Sequence, residues 1–277
     1  MRETGTAPDG TVYEIEGTAD GDGPAVVLIH GMGLTRAMWD WQMPPLAARF
    51  RVIRYDLLGH GDSPARPGRI EMADLVAQLC SLLDHLAVAR AALVGFSLGG
   101  LIVRATALAH PDRTAAIAIL NSAHDRSDAE RAGMRERLET ARRDGPAATI
   151  DAALERWFTA GFAAAHPDVL DRVRAWMASN DPAAYAEIYR VLAESDADLA
   201  TAIAAIRCPA LVLACEEDHG NSPDMARRMA ALMPNAEVAI VPRLKHMALA
   251  EDPEAVSGPL VRFLEGALTK NAGNNAG

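Results

Sequence analysis

Short apolar runs rich in β-branched residues alternate with amphipathic stretches along most of the chain. Apolar runs of this length, bounded by glycine or proline, are typical of strands buried on both faces of a parallel sheet. Six such strands are predicted, at residues 25–31, 51–56, 91–96, 115–121, 210–217 and 236–242. Apolar positions at helical spacing predict helices at 72–88, 98–110 and 222–233. This order indicates an α/β fold with a mostly parallel sheet, preceded by an edge hairpin near 11–17.

The alternation stops at residues 122–205, which are Ala-rich and helical in pattern throughout. About four helices are expected there, as an insertion over one end of the sheet. Residues 1–121 and 206–269 are then the sheet-containing core, and 122–205 form a helical cap. The tail 270–277, KNAGNNAG, offers nothing to bury and is expected to be disordered.

Composition narrows the class of protein. The 277 residues include 27 Lys and Arg against 37 Asp and Glu, a net charge of -10, which disfavours nucleic acid and anionic membranes as partners. Three cysteines without paired spacing predict neither a disulfide framework nor a metal site. No apolar leader and no run near the ~18 apolar residues of a membrane span are visible, so a cytoplasmic protein is expected. Whether copies associate into a homo-oligomer stays open.

The stretch LVGFSLGG at 93–100 carries the first candidate chemistry. It places Ser97 between Gly95 and Gly99, where a predicted strand ends and a helix begins. The pattern G-x-S-x-G in that context describes a sharp turn that exposes a nucleophilic serine at the carboxyl edge of the sheet. A glycine-rich bend without chemistry would match the same letters, so the assignment depends on the partners that a serine nucleophile needs.

A base and an acid are available downstream of Ser97 in the chain order expected for such a serine. His246 follows the last predicted strand and is the candidate base, whereas His110 and His166 lie in helical surroundings. Asp218, in the loop after the preceding strand, is the candidate acid. Asp125, which follows the strand at 115–121, is the alternative acid.

Backbone N–H groups can supply the donors for an oxyanion. The N–H of Leu98 lies at a predicted helix N-terminus, where unpaired donors and the helix dipole favour negative charge. A second donor is expected from HGMG at 30–33, with the N–H of Met32 as the candidate. The alternative interpretation is that HGMG forms an ordinary glycine turn.

Five motifs, in this order, resemble those of the α/β-hydrolase superfamily: HGMG at 30–33, YDLLGHGDS at 55–63, GFSLGG at 95–100, EED at 216–218 and KHM at 245–247. The resemblance implies an α/β-hydrolase fold without metal or organic cofactor. It implies Ser97 as nucleophile, Asp218 as acid and His246 as base, with Met32 and Leu98 as oxyanion donors. It also implies that 122–205 is the cap and that His60 belongs to a structural turn. Epoxide hydrolases and haloalkane dehalogenases of this fold place Asp where this chain has Ser97.

Within the superfamily, residues 49–64, 154–177 and 181–193 resemble 3-oxoadipate enol-lactonases. A departure is Cys215, which stands where the pattern Gly-x-x-Asp usually has glycine. The resemblance implies hydrolysis of a small ester or lactone through an acyl-enzyme. The residues expected to shape a substrate pocket are Arg156, Trp157, Trp176 and His124. Burial within the cap would explain the two tryptophans equally well, and a solvated helix charge would explain Arg156.

Two other functions fit the same residues. A C–C bond hydrolase of a ring-cleavage product would use the same three catalytic side chains. A hydrolase-like ligand receptor would keep the pocket but turn over slowly. Fast hydrolysis of a short-chain ester would separate an enzyme from a receptor.

Overall fold

A single sheet of eight strands organises the protein, seen in a computed structural model that describes residues 2–17 and 24–274, with side chains as far as residue 269. The strands are β1 (Glu3–Thr6), β2 (Val12–Glu16), β3 (Ala25–Ile29), β4 (Arg51–Tyr55), β5 (Ala91–Phe96), β6 (Thr114–Leu120), β7 (Ala210–Cys215) and β8 (Ala236–Val241). Their spatial order is β1-β2-β4-β3-β5-β6-β7-β8. The first two strands form an antiparallel hairpin, and β2 pairs antiparallel with β4. All later pairings are parallel, which is an α/β-hydrolase fold.

The helices are α1 (Met43–Ala47), α2 (Met72–His85), α3 (Leu98–Ala109), α4 (Asp128–Asp144), α5 (Ala147–Trp157), α6 (Ala160–Ala165), α7 (Pro167–Ala178), α8 (Pro182–Ala202), α9 (Pro223–Leu232), α10 (Ala248–Glu251) and α11 (Pro253–Asn274). Alternate strand residues point to opposite faces of the sheet, and both faces are buried. One face packs against α2, α3 and α9 and the other against α1 and α11. This two-sided burial explains why the core strands read as continuous apolar runs.

The six predicted core strands start within one residue of their predicted positions and end up to two residues earlier. Their last predicted residues turn into loops at the carboxyl edge of the sheet, where the polar side chains collect. Helix α11 extends to Asn274, so the backbone of the predicted tail is helical as far as that residue. Residues 275–277 of that tail lie outside the described part of the chain.

Between β6 and β7 the chain forms five helices, α4 to α8, where about four were expected. Hydrogen bonds attach this segment to the carboxyl edge of the sheet. Asp196 of α8 accepts from the backbone N–H groups of Asp125 (3.0 Å) and Arg126 (2.8 Å). Glu251 accepts from the backbone N–H and the hydroxyl of Thr159, at 2.8 and 2.7 Å. The five helices are therefore held over the end of the sheet where Ser97 lies.

Within residues 2–17 and 24–274, no helix is long and apolar enough to cross a membrane. The same residues hold no group of three or more His, Cys, Asp and Glu side chains arranged to bind a metal ion.

Candidate active site

Ser97 occupies the turn between β5 and α3 in a strained backbone conformation, with φ +54° and ψ −110°. A non-glycine residue in such a conformation costs on the order of 1–3 kcal/mol. The flanking glycines make the turn possible. A Cβ atom at Gly95 would lie 2.1 Å from the carbonyl oxygen of Gly99, and one at Gly99 would lie 2.2 Å from that of Ile29. The geometry is therefore that of a sharp turn which exposes the serine side chain.

Asp218 and His246 are hydrogen-bonded to one another, with 2.6 Å between Asp218 Oδ2 and His246 Nδ1. Both residues are only 4% exposed, although each lies in a loop after a strand, β7 and β8. Asn221 donates to the same carboxylate from its backbone N–H, at 3.2 Å, and from its side-chain amide, at 3.2 and 3.3 Å. A carboxylate that accepts the Nδ1 proton of His246 leaves Nε2 free to accept another.

The imidazole of His246 contacts two aromatic side chains. Its ring centroid is 4.7 Å from that of Phe96 and 5.6 Å from that of Trp157. Because Phe96 immediately precedes Ser97, this contact brings the imidazole beside the sharp turn. Ser97 Oγ makes no hydrogen bond within the described part of the chain. Bonds between a catalytic hydroxyl and its base are often long without substrate and tighten in the complex.

Two backbone donors near Ser97 have no acceptor among the described residues, the N–H groups of Met32 and Leu98. Leu98 is fully buried and Met32 is 8% exposed. Buried N–H groups are nearly always paired, so two orphans are a notable exception. The loop that carries Met32 passes against the serine, since a Cβ atom at Gly31 would lie 3.3 Å from Ser97 Cβ. Two unpaired donors beside one hydroxyl can receive a negatively charged oxygen.

Two buried histidines fix that loop. His30 Nε2 accepts from the N–H of Leu57 at 2.9 Å, while its Nδ1 bonds the carbonyl of Gly31 at 2.7 Å. His60 Nε2 accepts from the N–H of Gly33 at 3.0 Å. Burial lowers the pKa of His30 to about 4 and that of His60 to about 3. Both imidazoles are therefore neutral, and His60 is part of a structural turn, as the sequence predicted.

The alternative acid and His124 lie elsewhere on the loop after β6. The side chain of Asp125 is 57% exposed and is 3.7 Å from Arg131. It makes no hydrogen bond to His246, unlike Asp218.

His124 is 2% exposed, and its Nδ1 is buried without a hydrogen-bond partner among the described residues. Burial, with the nearby Arg104 charge, lowers the pKa of His124 to about 4.

Of the cap residues expected around a pocket, Trp157 directly contacts His246. Its neighbour Arg156 is exposed and forms no ion pair in the described part of the chain. Trp176 packs instead against Trp41, with 6.3 Å between ring centroids, and under the guanidinium of Arg172 at 4.9 Å. The structure thus brings Trp157, but not Trp176, to the base.

Sequence reasoning missed several residues of this site. Asn221 lies three positions after Asp218, and Asn121 is the polar residue that follows the apolar strand β6; both positions could have drawn attention. Asn121 Nδ2 donates to the carbonyl of His246 at 3.0 Å. Phe96 reads as an ordinary strand residue, and nothing in the sequence singles it out.

Known proteins resemble this chain over most of its length. Residues 26–258 match the model of the alpha/beta hydrolase family. An (E)-2-((N-methylformamido)methylene)succinate hydrolase from Acinetobacter baylyi is 29% identical, over 88% of this chain and 92% of its own. A protein from the same organism, 3-oxoadipate enol-lactonase 2, is 30% identical, over 79% and 80%.

A solved structure, the enol-lactonase from Burkholderia xenovorans, superposes with a TM-score of 0.87 at 32% identity, covering 95% of this chain and 100% of its own. These proteins share both the fold and the general class of hydrolase. With a family match that covers the parallel strands β3 to β8 and the helical insertion, the chain belongs to the alpha/beta hydrolase family.

Proposed function

We propose that the protein is a serine hydrolase that cleaves a small ester or lactone through an acyl-enzyme. The observation that carries this proposal is the buried hydrogen bond of 2.6 Å between Asp218 and His246, beside the strained turn of Ser97. A serine hydroxyl needs a base whose proton-accepting nitrogen is free, and a base needs a partner that fixes its orientation. All three residues lie in turns or loops that follow strands at the carboxyl edge of the sheet.

The proposed reaction follows from these positions. Ser97 Oγ attacks the substrate carbonyl and transfers its proton to His246 Nε2, while Asp218 stabilises the resulting imidazolium. The carbonyl oxygen, now negatively charged, accepts from the N–H groups of Met32 and Leu98. His246 then gives its proton to the leaving alkoxide. A water molecule, deprotonated by His246, releases the acid from Ser97 and restores the hydroxyl.

The cap supports a substrate that carries a carboxylate. Arg156 of α5 and Arg137 of α4 lack a carboxylate partner in the described part of the chain. The Arg137 guanidinium donates to the Tyr189 hydroxyl, at 3.1 Å, and to the Met134 sulfur, at 2.8 Å. Although the residue is exposed, loss of water around the guanidinium, followed by the charge of Arg137, lowers the pKa of Arg156. Two guanidinium groups that repel one another without a counter-ion form a favourable site for an anion.

The position of this arginine pair fits an acid bound beside the candidate catalytic residues. Arg156 precedes Trp157, which packs against His246. Tyr185 of α8 approaches the loop that carries Met32, 3.3 Å from where a Cβ atom of Gly33 would be. Two relatives are named for a substituted succinate and for 3-oxoadipate enol-lactone, which supports a carboxylated substrate here.

A pair of substrates tests the proposal, a lactone with a carboxylate and a neutral short-chain ester. Turnover of either by the wild type, lost in Ser97→Ala, is the expected result for the hydrolase. No turnover of either after prolonged incubation would contradict the hydrolase and favour a ligand receptor.

Substitution of the arginines tests the substrate class. Arg156→Ala and Arg137→Ala are each expected to raise KM for the carboxylated lactone about tenfold or more, because a hydrogen bond to a charged group contributes ~1.5–3 kcal/mol. Kinetics on the neutral ester should stay within about twofold. Arg142→Ala is the matched control, because Arg142 lies on the same helix as Arg137 but is exposed and paired with Glu139. Equal effects on both substrates would contradict a carboxylate site.

A further inference from the structure

The residue that follows β6 is an asparagine with an unusual backbone. Asn121 is fully buried and has a φ of +46°, in the left-handed region that asparagine tolerates better than most residues. Its N–H donates to the carbonyl of Leu213 in β7 at 2.8 Å. Its side chain therefore leaves the sheet at the carboxyl edge, among the loops that carry the candidate catalytic groups.

Both ends of the Asn121 amide are hydrogen-bonded. Nδ2 donates to the carbonyl oxygen of His246 at 3.0 Å, and Oδ1 accepts from the thiol of Cys215 at 3.5 Å. Burial raises the pKa of the Cys215 thiol to about 12, so the thiol keeps its proton and can only donate to this amide oxygen. The carbonyl of His246 can only accept, so it orients the amide with its N–H₂ group toward His246, and the thiol of Cys215 donates to the other end.

Leu120, the residue before Asn121, is hydrogen-bonded to the backbone of Ser97. The carbonyl of Leu120 accepts from the N–H of Ser97 at 2.9 Å. Two consecutive residues at the end of β6 thus bond the backbone of Ser97 and the backbone of His246. The position of His246 relative to Ser97 therefore depends on this short connection through Leu120 and Asn121.

We propose that Asn121 is a positioning residue that fixes the His246 loop at the distance from Ser97 which proton transfer requires. This inference rests on the proposed function, in which His246 is the base for Ser97. Asn121 does not touch the substrate in this scheme, because its amide is occupied by His246 and Cys215. Its loss therefore affects the chemical step and leaves substrate binding unchanged. A misplacement of a catalytic group by ~1 Å can cost about 100-fold in rate.

Two variants separate the side-chain hydrogen bond from backbone strain. Asn121→Asp keeps the shape, the tolerance of positive φ and the acceptor for Cys215, but it presents an oxygen to the His246 carbonyl. Asn121→Gly removes the side chain and accepts the backbone conformation at low cost. We expect kcat to fall about 10- to 100-fold in both, with KM within about twofold. Cys215→Ser, which retains a donor to the amide, is expected to keep most of the wild-type kcat.

The rate constants must refer to active enzyme, because a variant that merely folds poorly would lose sites without losing rate. Titration of Ser97 with a fluorophosphonate counts the active sites, and the rate of that labelling reports activation of the serine without substrate binding. Slower labelling and lower kcat per titrated site are the expected results. A wild-type kcat per site in Asn121→Asp and Asn121→Gly would overturn the positioning role. A wild type that turns over no ester or lactone would overturn the proposed function instead.

Discussion

Trp157 packs against the imidazole of His246, with 5.6 Å between the two ring centroids and 39° between the ring planes. The loop of His246 is attached to the same end of α5 by two hydrogen bonds. Lys245 Nζ donates to the carbonyl of Glu155 at 3.0 Å, and the N–H of Met247 donates to that of Trp157 at 2.9 Å. The residues on either side of His246 thus bind the C-terminal turn of α5. The cap consequently holds the candidate base, in addition to covering the site.

Trp157→Ala is expected to lower kcat/KM for the neutral ester about tenfold. Aromatic contacts of this kind contribute ~0.5–1.5 kcal/mol beyond area burial, and ~1.4 kcal/mol corresponds to a factor of ten. The backbone bond from Met247 persists, so the loop itself should keep its place. Trp157→Phe, which retains a ring against His246, should stay within about threefold of wild type. Equal losses in both variants would contradict a role for the aromatic contact.

Removal of the Ser97 side chain should separate activity from stability. Both Ser97→Ala and Ser97→Gly lack the hydroxyl and are expected to lose at least ~1,000-fold in kcat. Only glycine relieves the backbone strain at φ +54°, so Ser97→Gly should be more stable than Ser97→Ala by about 1 kcal/mol. Urea unfolding measures the difference. A more stable alanine variant would mean that the turn holds no such strain.

The core strands were predictable because each is buried on both faces and therefore forms an uninterrupted apolar run. The helices of the cap were less predictable. The stretch at 150–162 reads as one helical pattern, but Phe158 is extended and Thr159 caps a new helix by accepting from the N–H of Phe162. The same Thr159 binds Glu251 of the core. This tertiary contact favours a break that the helical periodicity conceals, and it produces five helices.

The residues of the candidate site also differ in how far the sequence predicts their surroundings. The placement of Ser97, Asp218 and His246 at one edge of the sheet was predictable, because each follows a particular strand and the strand order brings these loops together. The role of the tryptophans was not predictable, since helical spacing shows that a side chain is partly buried but not which neighbour covers it. Nothing in the sequence singles out Arg137, because only the packing of α4 beside α5 brings its helix next to that of Arg156.

The choice of acid can be tested by comparing two isosteric substitutions. Asp218→Asn leaves the shape of the site unchanged but removes the charge that stabilises the imidazolium and selects its tautomer. We expect kcat to fall by about 10,000-fold, as is typical for this type of change. Asp125→Asn should alter kcat by less than about twofold, because Asp125 is exposed and its ionic contact, with Arg131, is weak at the surface. The opposite order in kcat/KM would transfer the acid to Asp125.

His30 and His60 predict that the protein loses stability as the pH falls below neutrality. Both imidazoles are buried and neutral, with pKa values of about 4 and about 3, against an ordinary value of 6.5. The unfolded chain binds protons at these positions once the pH falls below 6.5, whereas the folded chain does so only near its lowered pKa values. Each histidine thus makes the free energy of unfolding fall by up to ~1.4 kcal/mol per pH unit in that window.

The contribution of one histidine can be isolated by measuring the free energy of urea unfolding from about pH 5 to about pH 7 in the wild type and in His60→Gln. The glutamine carbonyl can still accept from the N–H of Gly33, but it does not titrate. The variant is expected to be less stable overall, because a buried imidazole is replaced by a side chain of different shape. The informative quantity is the slope of the free energy of unfolding against pH. Other titrating groups contribute equally to this slope in both proteins. In His60→Gln we expect a slope smaller by close to the contribution of one proton, ~1.4 kcal/mol per pH unit. Identical slopes in the two proteins would mean that His60 is protonated in the folded state.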